Sequence, residues 1–81
     1  MTELTLFFDG YCPLCVKEMA HLRAADRHGK ILLVDIQQPD FAECYPHIDV
    51  AAASRILHAE TANGELLLGL DVTCRAWSLV G

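Results

Sequence analysis

The stretch Phe8-Asp9-Gly10-Tyr11-Cys12-Pro13-Leu14-Cys15 constrains this chain more than any other. Within it an apolar, strand-like run stops, a glycine turns the chain, and two thiols follow three positions apart. The proline between the thiols has no N–H to leave unpaired at a first helical position, and its fixed φ suits a first turn. A helix is therefore predicted from Pro13, with Cys12 at its cap or first turn and Cys15 one turn further along the same face. Across one turn the two Cα atoms stand roughly 5 to 6 Å apart, inside the window of a disulfide. Unpaired amides and the positive end of the helix dipole favour a thiolate there, moving a thiol pKa from about 8.5 into the range 3.5–7.5. These features predict Cys12 as a nucleophile and Cys15, buried under the loop, as the resolving thiol that frees a partner from a mixed disulfide. A structural disulfide or half of a metal site are the other readings of a C-x-x-C pair.

The flanking segments give that corner its setting. Glu3-Leu4-Thr5-Leu6-Phe7-Phe8 has the length and terminator of a buried strand. From Pro13 to about His28, Cys15, Met19 and Leu22 fall on one helical stripe, and Gly29 is the expected stop. Lys30 to Ile36 is apolar and β-branched with little alternation, as in a strand covered on both faces. Strand, helix and strand in this order predict a βαβ unit with parallel strands. Reactive groups gather beyond the carboxyl ends of such strands, where the first delivers Asp9 and Cys12 and the second Asp35 and Gln37.

Downstream, Phe41 to Tyr45 and Asp49 to Ser54 are possible helical turns, the latter with Asp49 as N-cap. The runs Arg55–Thr61 and Glu65–Gly69 flank Ala62-Asn63-Gly64, the strongest short signal for an antiparallel hairpin. Asp71 is a candidate cap for a last helix with Leu70, Cys74 and Trp77 on its apolar stripe. The expected architecture is α/β in one domain over residues 1–81: a βαβ unit, a short helical segment, an antiparallel β-hairpin and a C-terminal helix. With 81 residues the core is small, and the net charge of -5 without a basic cluster argues against nucleic acid or anionic membrane as partner. No apolar run approaches a bilayer span, and Met1-Thr2-Glu3 does not open a signal peptide, so the expected location is cytoplasmic. In that setting four cysteines point to reduced, catalytic or metal-bound thiols.

This order of elements is the plan of the thioredoxin fold. Asp9-Gly10-Tyr11-Cys12-Pro13-Leu14-Cys15 resembles the signature of the DCC family, thioredoxin-like proteins named for one Asp and two Cys and described as thiol–disulfide oxidoreductases. Val34-Asp35-Ile36-Gln37 and the segment from Asn63-Gly64-Glu65 through Gly69 to Asp71 are similar to later blocks of that family. The resemblance implies a thioredoxin-like fold, dithiol exchange, and Asp9, Cys12 and Cys15 as active residues. Thioredoxins and glutaredoxins carry a cis-proline ahead of the third strand, where this chain has Ala53-Ser54-Arg55; the glutaredoxin pattern for glutathione is also missing.

Several residues have two readings. Asp9 orders the loop by accepting an amide two residues on, or takes a thiol proton. Asp35 is a solvated or paired strand-end carboxylate, or an acid–base group near Cys15. Tyr11 is a loop aromatic or shapes the mouth of the site. Cys44 and Cys74 are expected as small core residues; Cys12, Cys15, Cys44 and His47 as a zinc set is the sharper alternative. His21, His28 and His58 are expected at the surface. The function expected is exchange of the Cys12–Cys15 dithiol with a protein or small-molecule disulfide, without a cofactor. The alternative is a non-enzymatic binding module whose thiols sense redox state or hold metal.

Overall fold

The computed structural model describes residues 2–81. Strand β1 (Leu4–Phe8) buries Leu4 and Leu6 on one face and Phe7 on the other, so it needs cover on both. It pairs in parallel with β2 (Ile31–Asp35), Leu6 opposite Leu33, and antiparallel with β3 (His58–Thr61), Leu6 opposite Ala59. Strand β4 (Leu66–Leu68) adds antiparallel to β3, giving a four-stranded mixed sheet in the order β2-β1-β3-β4. The β3–β4 hairpin turns through Asn63-Gly64, with Gly64 at φ 85, a left-handed conformation that glycine adopts without a Cβ penalty.

Helix α1 (Pro13–Ala25) joins the two parallel strands and presses Met19 and Leu22 onto the Leu4/Leu6 face. Helix α4 (Leu70–Val80) lies on that same face through Val72 and Ala76. The opposite face is covered by two short helices, α2 (Phe41–Cys44) and α3 (Val50–Arg55), which bring Phe41 and Ala53 against Phe7. There Phe7 meets Phe41 edge-on at 5.8 Å between ring centroids and Tyr45 at 5.0 Å, geometries that favour aromatic pairs. Asp49 caps α3 by accepting the Ala51 and Ala52 amides, as its position ahead of an alanine run predicts. Among the described residues no helix is long and apolar enough to cross a membrane.

Several expectations need correction. Helix α1 ends at Ala25, before Gly29, because the Asp26 carboxylate accepts the Lys30 and Ile31 amides at 2.9 and 2.8 Å and turns the chain directly into β2. Strand β2 is the sheet's edge and is not covered on both faces: Leu32 is 47% exposed, because α2 reaches only the Val34 end of the strand. In α4, Gly69 at φ 60 is the cap and Asp71 sits in the first turn. The buried stripe of α4 is Val72 and Ala76, leaving Leu70 and Cys74 exposed; the small Ala76 side chain lets the helix lie close to the sheet. Cys44 is exposed at the end of α2, and His58, expected at the surface, is buried with Nδ1 2.7 Å from the Ile56 carbonyl.

Candidate active site

The loop Asp9–Cys12 leaves β1 and enters α1, and the amides of Gly10, Tyr11 and Cys12 each have a partner. Gly10 N–H donates to Asp35 Oδ1 at 2.9 Å, Tyr11 N–H to Asp9 Oδ1 at 2.9 Å, and Cys12 N–H to the Asp9 carbonyl at 3.0 Å. Asp9 therefore does what its short side chain predicts in a turn, accepting the amide two residues on. The same oxygen also accepts Gln37 Nε2 at 3.1 Å, tying the loop to the residues just past β2.

Cys12 is the N-cap of α1, and its sulfur takes the place usually filled by a serine or aspartate oxygen. Pro13, next in line, brings no N–H, so the amides of the following turn are the ones that face the sulfur. Cys15 N–H donates to Cys12 Sγ at 3.3 Å. The two thiols are close and both are free. Donation from the Cys15 thiol, then from the Cys15 and Leu14 amides, holds the Cys12 pKa below the ordinary thiol value, against partial desolvation and the Asp9 charge. The reverse holds for Cys15: its hydrogen bond to Cys12, its burial, and the charges of Cys12, Asp9 and Glu18 push it up to about 11. One helical turn thus makes one of two identical groups more acidic than an ordinary thiol and the other less so.

Cys15 is half-buried, not closed off under the loop as expected. It opens onto a groove of about 140 Å³ whose walls include Glu18 and Met19 on one side and Arg55, Ile56 and Leu57 on the other. Ser54 and Arg55, in the segment where thioredoxins carry their proline, line the same groove. Tyr11 and Leu14, each 79% exposed, flank the thiols on the solvent side. Asp35 lies at this corner as an acceptor of the Gly10 and Gln37 amides.

Of the site residues predicted from sequence, Asp9, Cys12 and Cys15 come together here, and Cys44 and His47 do not join them in a ligand cluster. Among the described residues no three His, Cys, Asp or Glu side chains converge as for a metal ion. His47 pairs instead with Glu60 at 2.9 Å. Sequence reasoning noted Gln37 near the corner but assigned it no contact, and it passed over Ile56 and Leu57; their position just ahead of β3 was the available signal.

Comparison with curated proteins and with solved structures finds no match to this chain. A family model, described as DCC1-like thiol-disulfide oxidoreductase, matches residues 6–81, which takes in every strand and helix apart from the first two residues of β1. With its Cys12–Cys15 pair at the head of α1, the chain belongs to the DCC1-like thiol-disulfide oxidoreductase family.

Proposed function

We propose that this protein is a thioredoxin-like dithiol oxidoreductase that exchanges the Cys12–Cys15 pair with a partner disulfide in the cytoplasm. One observation carries the reading: Cys12 Sγ accepts the Cys15 amide at the mouth of α1, which splits the pair into a nucleophile and a reserve thiol. The thioredoxin-like assignment is supported by the order β2-β1-β3-β4, with β1 and β2 parallel, the remaining pairs antiparallel, and helices on both faces.

In the forward step the Cys12 thiolate attacks one sulfur of the partner disulfide. A Cys12–partner bond forms, the partner S–S bond breaks, and the departing thiolate takes a proton from water. Two of the causes that hold Cys15 protonated are its hydrogen bond to Cys12 and the Cys12 charge. Both disappear once Cys12 is in the mixed disulfide, so the Cys15 pKa falls at the step that needs its thiolate. Cys15 then gives its proton to solvent and attacks Cys12 Sγ, closing the intramolecular disulfide and expelling the second partner thiolate. Two electrons pass to the partner, and an external dithiol or monothiol reductant restores the pair.

The rim suits a polypeptide disulfide with apolar flanks. Tyr11, Leu14 and Ile56 present exposed apolar surface around the pair, while the nearby Asp9 and Glu18 carboxylates oppose a net-anionic thiol such as glutathione. The test is reduction of a protein disulfide by the wild-type protein with a dithiol regenerant. Activity is expected for wild type, none for Cys12→Ser, and a trapped mixed disulfide for Cys15→Ser. An inactive wild type, or a Cys12→Ser variant as active as wild type, overturns the assignment.

A further inference from the structure

The carboxylate that ends β2 takes no part in the exchange steps, yet it is the main tie between that strand and the dithiol loop. Asp35 Oδ1 accepts two amides at 2.9 Å, one from Gly10, 25 residues away in sequence, and one from Gln37. The Gln37 side chain, oriented by this turn, returns to Asp9 Oδ1 at 3.1 Å. Gly10 is not in a left-handed conformation; it is glycine because a Cβ there would fall within the Asp35 carboxylate. The loop backbone is thus laid directly on this side chain. With the amides of Gly10, Tyr11 and Cys12 all engaged elsewhere, the Leu14 and Cys15 amides are the ones that meet the Cys12 sulfur. Among the charges that act on the thiols are those of Asp9, on both, and Glu18, on Cys15. The hydrogen bonds of Asp35 go to backbone amides of the loop and the β2 turn and to neither sulfur, so the structure gives it a geometric role.

We propose that Asp35 is a positioning residue: as double acceptor of the Gly10 and Gln37 amides it sets the Asp9–Cys12 loop so that Cys12 Sγ faces the open amides of α1, and it carries no proton in the exchange. This rests on reading Cys12 as the attacking thiol. An acid–base carboxylate fails when its charge is removed, whereas a positioning acceptor fails only when its oxygen is removed.

Asp35→Asn keeps an acceptor oxygen without the charge, and Asp35→Ala removes both. The first measurement is the pH dependence of Cys12 alkylation by iodoacetamide in the reduced protein, which needs no partner and so is independent of the exchange assay. Asp35→Asn is expected to keep the wild-type titration and neutral-pH rate within about twofold, and Asp35→Ala to lose about tenfold in rate at neutral pH as the thiolate loses its amides. The second measurement is the pH profile of protein-disulfide reduction, which should be unchanged for Asp35→Asn. If Asp35→Asn alters the titration or profile as much as Asp35→Ala, the carboxylate acts by charge or proton and the proposal is overturned; it is equally overturned if Asp35→Ala titrates like wild type. Should Asp35→Ala not fold, Asp35→Glu, which keeps the charge but moves the acceptor oxygen by one methylene, takes its place, and an unshifted Cys12 titration there is the overturning result. A wild type inactive in the exchange assay but with the expected alkylation pattern defeats the proposed function and leaves the positioning role standing.

Discussion

At the residue scale, accessibility and reactivity part company among the four thiols. Cys44 is exposed, but desolvation first, and then the Asp40 carboxylate 3.7 Å from its sulfur, raise its pKa. Cys12 is less open, yet its pKa is lowered by donation from Cys15. Since the thiolate is the reacting form, Cys12 should be alkylated ahead of Cys44 and Cys15 at neutral pH. Its rate should level off at a lower pH than theirs, with Cys15 still protonated until near pH 11 while Cys12 is free. Mass mapping of alkylated peptides over a pH series checks the order; modification of Cys44 first would contradict it. The reason this pair is polarised was legible in sequence, because a Pro between two cysteines after a strand fixes which amides are left over. The burial of Cys15 and Cys44 was not legible. Both depend on how far neighbouring segments reach, Ile56 and Leu57 toward the first, the one-turn α2 toward the second.

At the scale of elements, β2 is tied down at each end by a carboxylate that accepts two backbone amides. Asp35 does this beside the dithiol; Asp26 does it at the other end, taking Lys30 and Ile31. Asp26→Ala should lower stability by about 1–2 kcal/mol, as for loss of two partly exposed charge-assisted hydrogen bonds, measured by urea unfolding. The Ile31 and Lys30 amides hold the Asp26 pKa below its ordinary 3.8. The contribution is therefore complete above pH 3.8 and fades as pH falls through the lower folded value, so wild type and Asp26→Ala should converge in stability in strong acid. The existence and type of the main elements were readable from periodicity and turn residues: the Asn63-Gly64 hairpin and the Asp49 cap stand where the sequence places them. The end of α1 was not, since a side chain stopped the helix before its glycine. The phase of α4 was not either. Val72 and Ala76 are as well spaced as Leu70, Cys74 and Trp77, and packing against α1 and β4 chose between the two stripes.

For the whole molecule, two small cores back one sheet. One lies under α1 and α4 around Leu4 and Leu6, the other under α2 and α3 around Phe7. Phe7→Ala should cost about 3–5 kcal/mol, because a fully buried ring with two aromatic neighbours leaves a cavity that a short helix pair fills poorly. Leu66→Lys, on an exposed site of β4, should stay within about 0.5 kcal/mol of wild type. Thermal unfolding of the two variants checks the contrast. The division of the sheet into two covered faces followed from the burial demands of β1 alone, whereas the edge position of β2 came from the strand order, which no local pattern encodes.

Across the α2 and α3 face, Leu32, Thr5, Glu60 and Leu66 stand side by side by register, with Leu32 and Leu66 exposed at its two ends and Glu60 paired with His47. Thr5 is four residues before Asp9, roughly 13 Å along an extended chain. A fluorophore, an immobilisation handle or added lysines grafted at Leu32 or Leu66 would leave the sulfur chemistry untouched, which makes this side of the protein the natural one by which to hold it while its redox partner is sought.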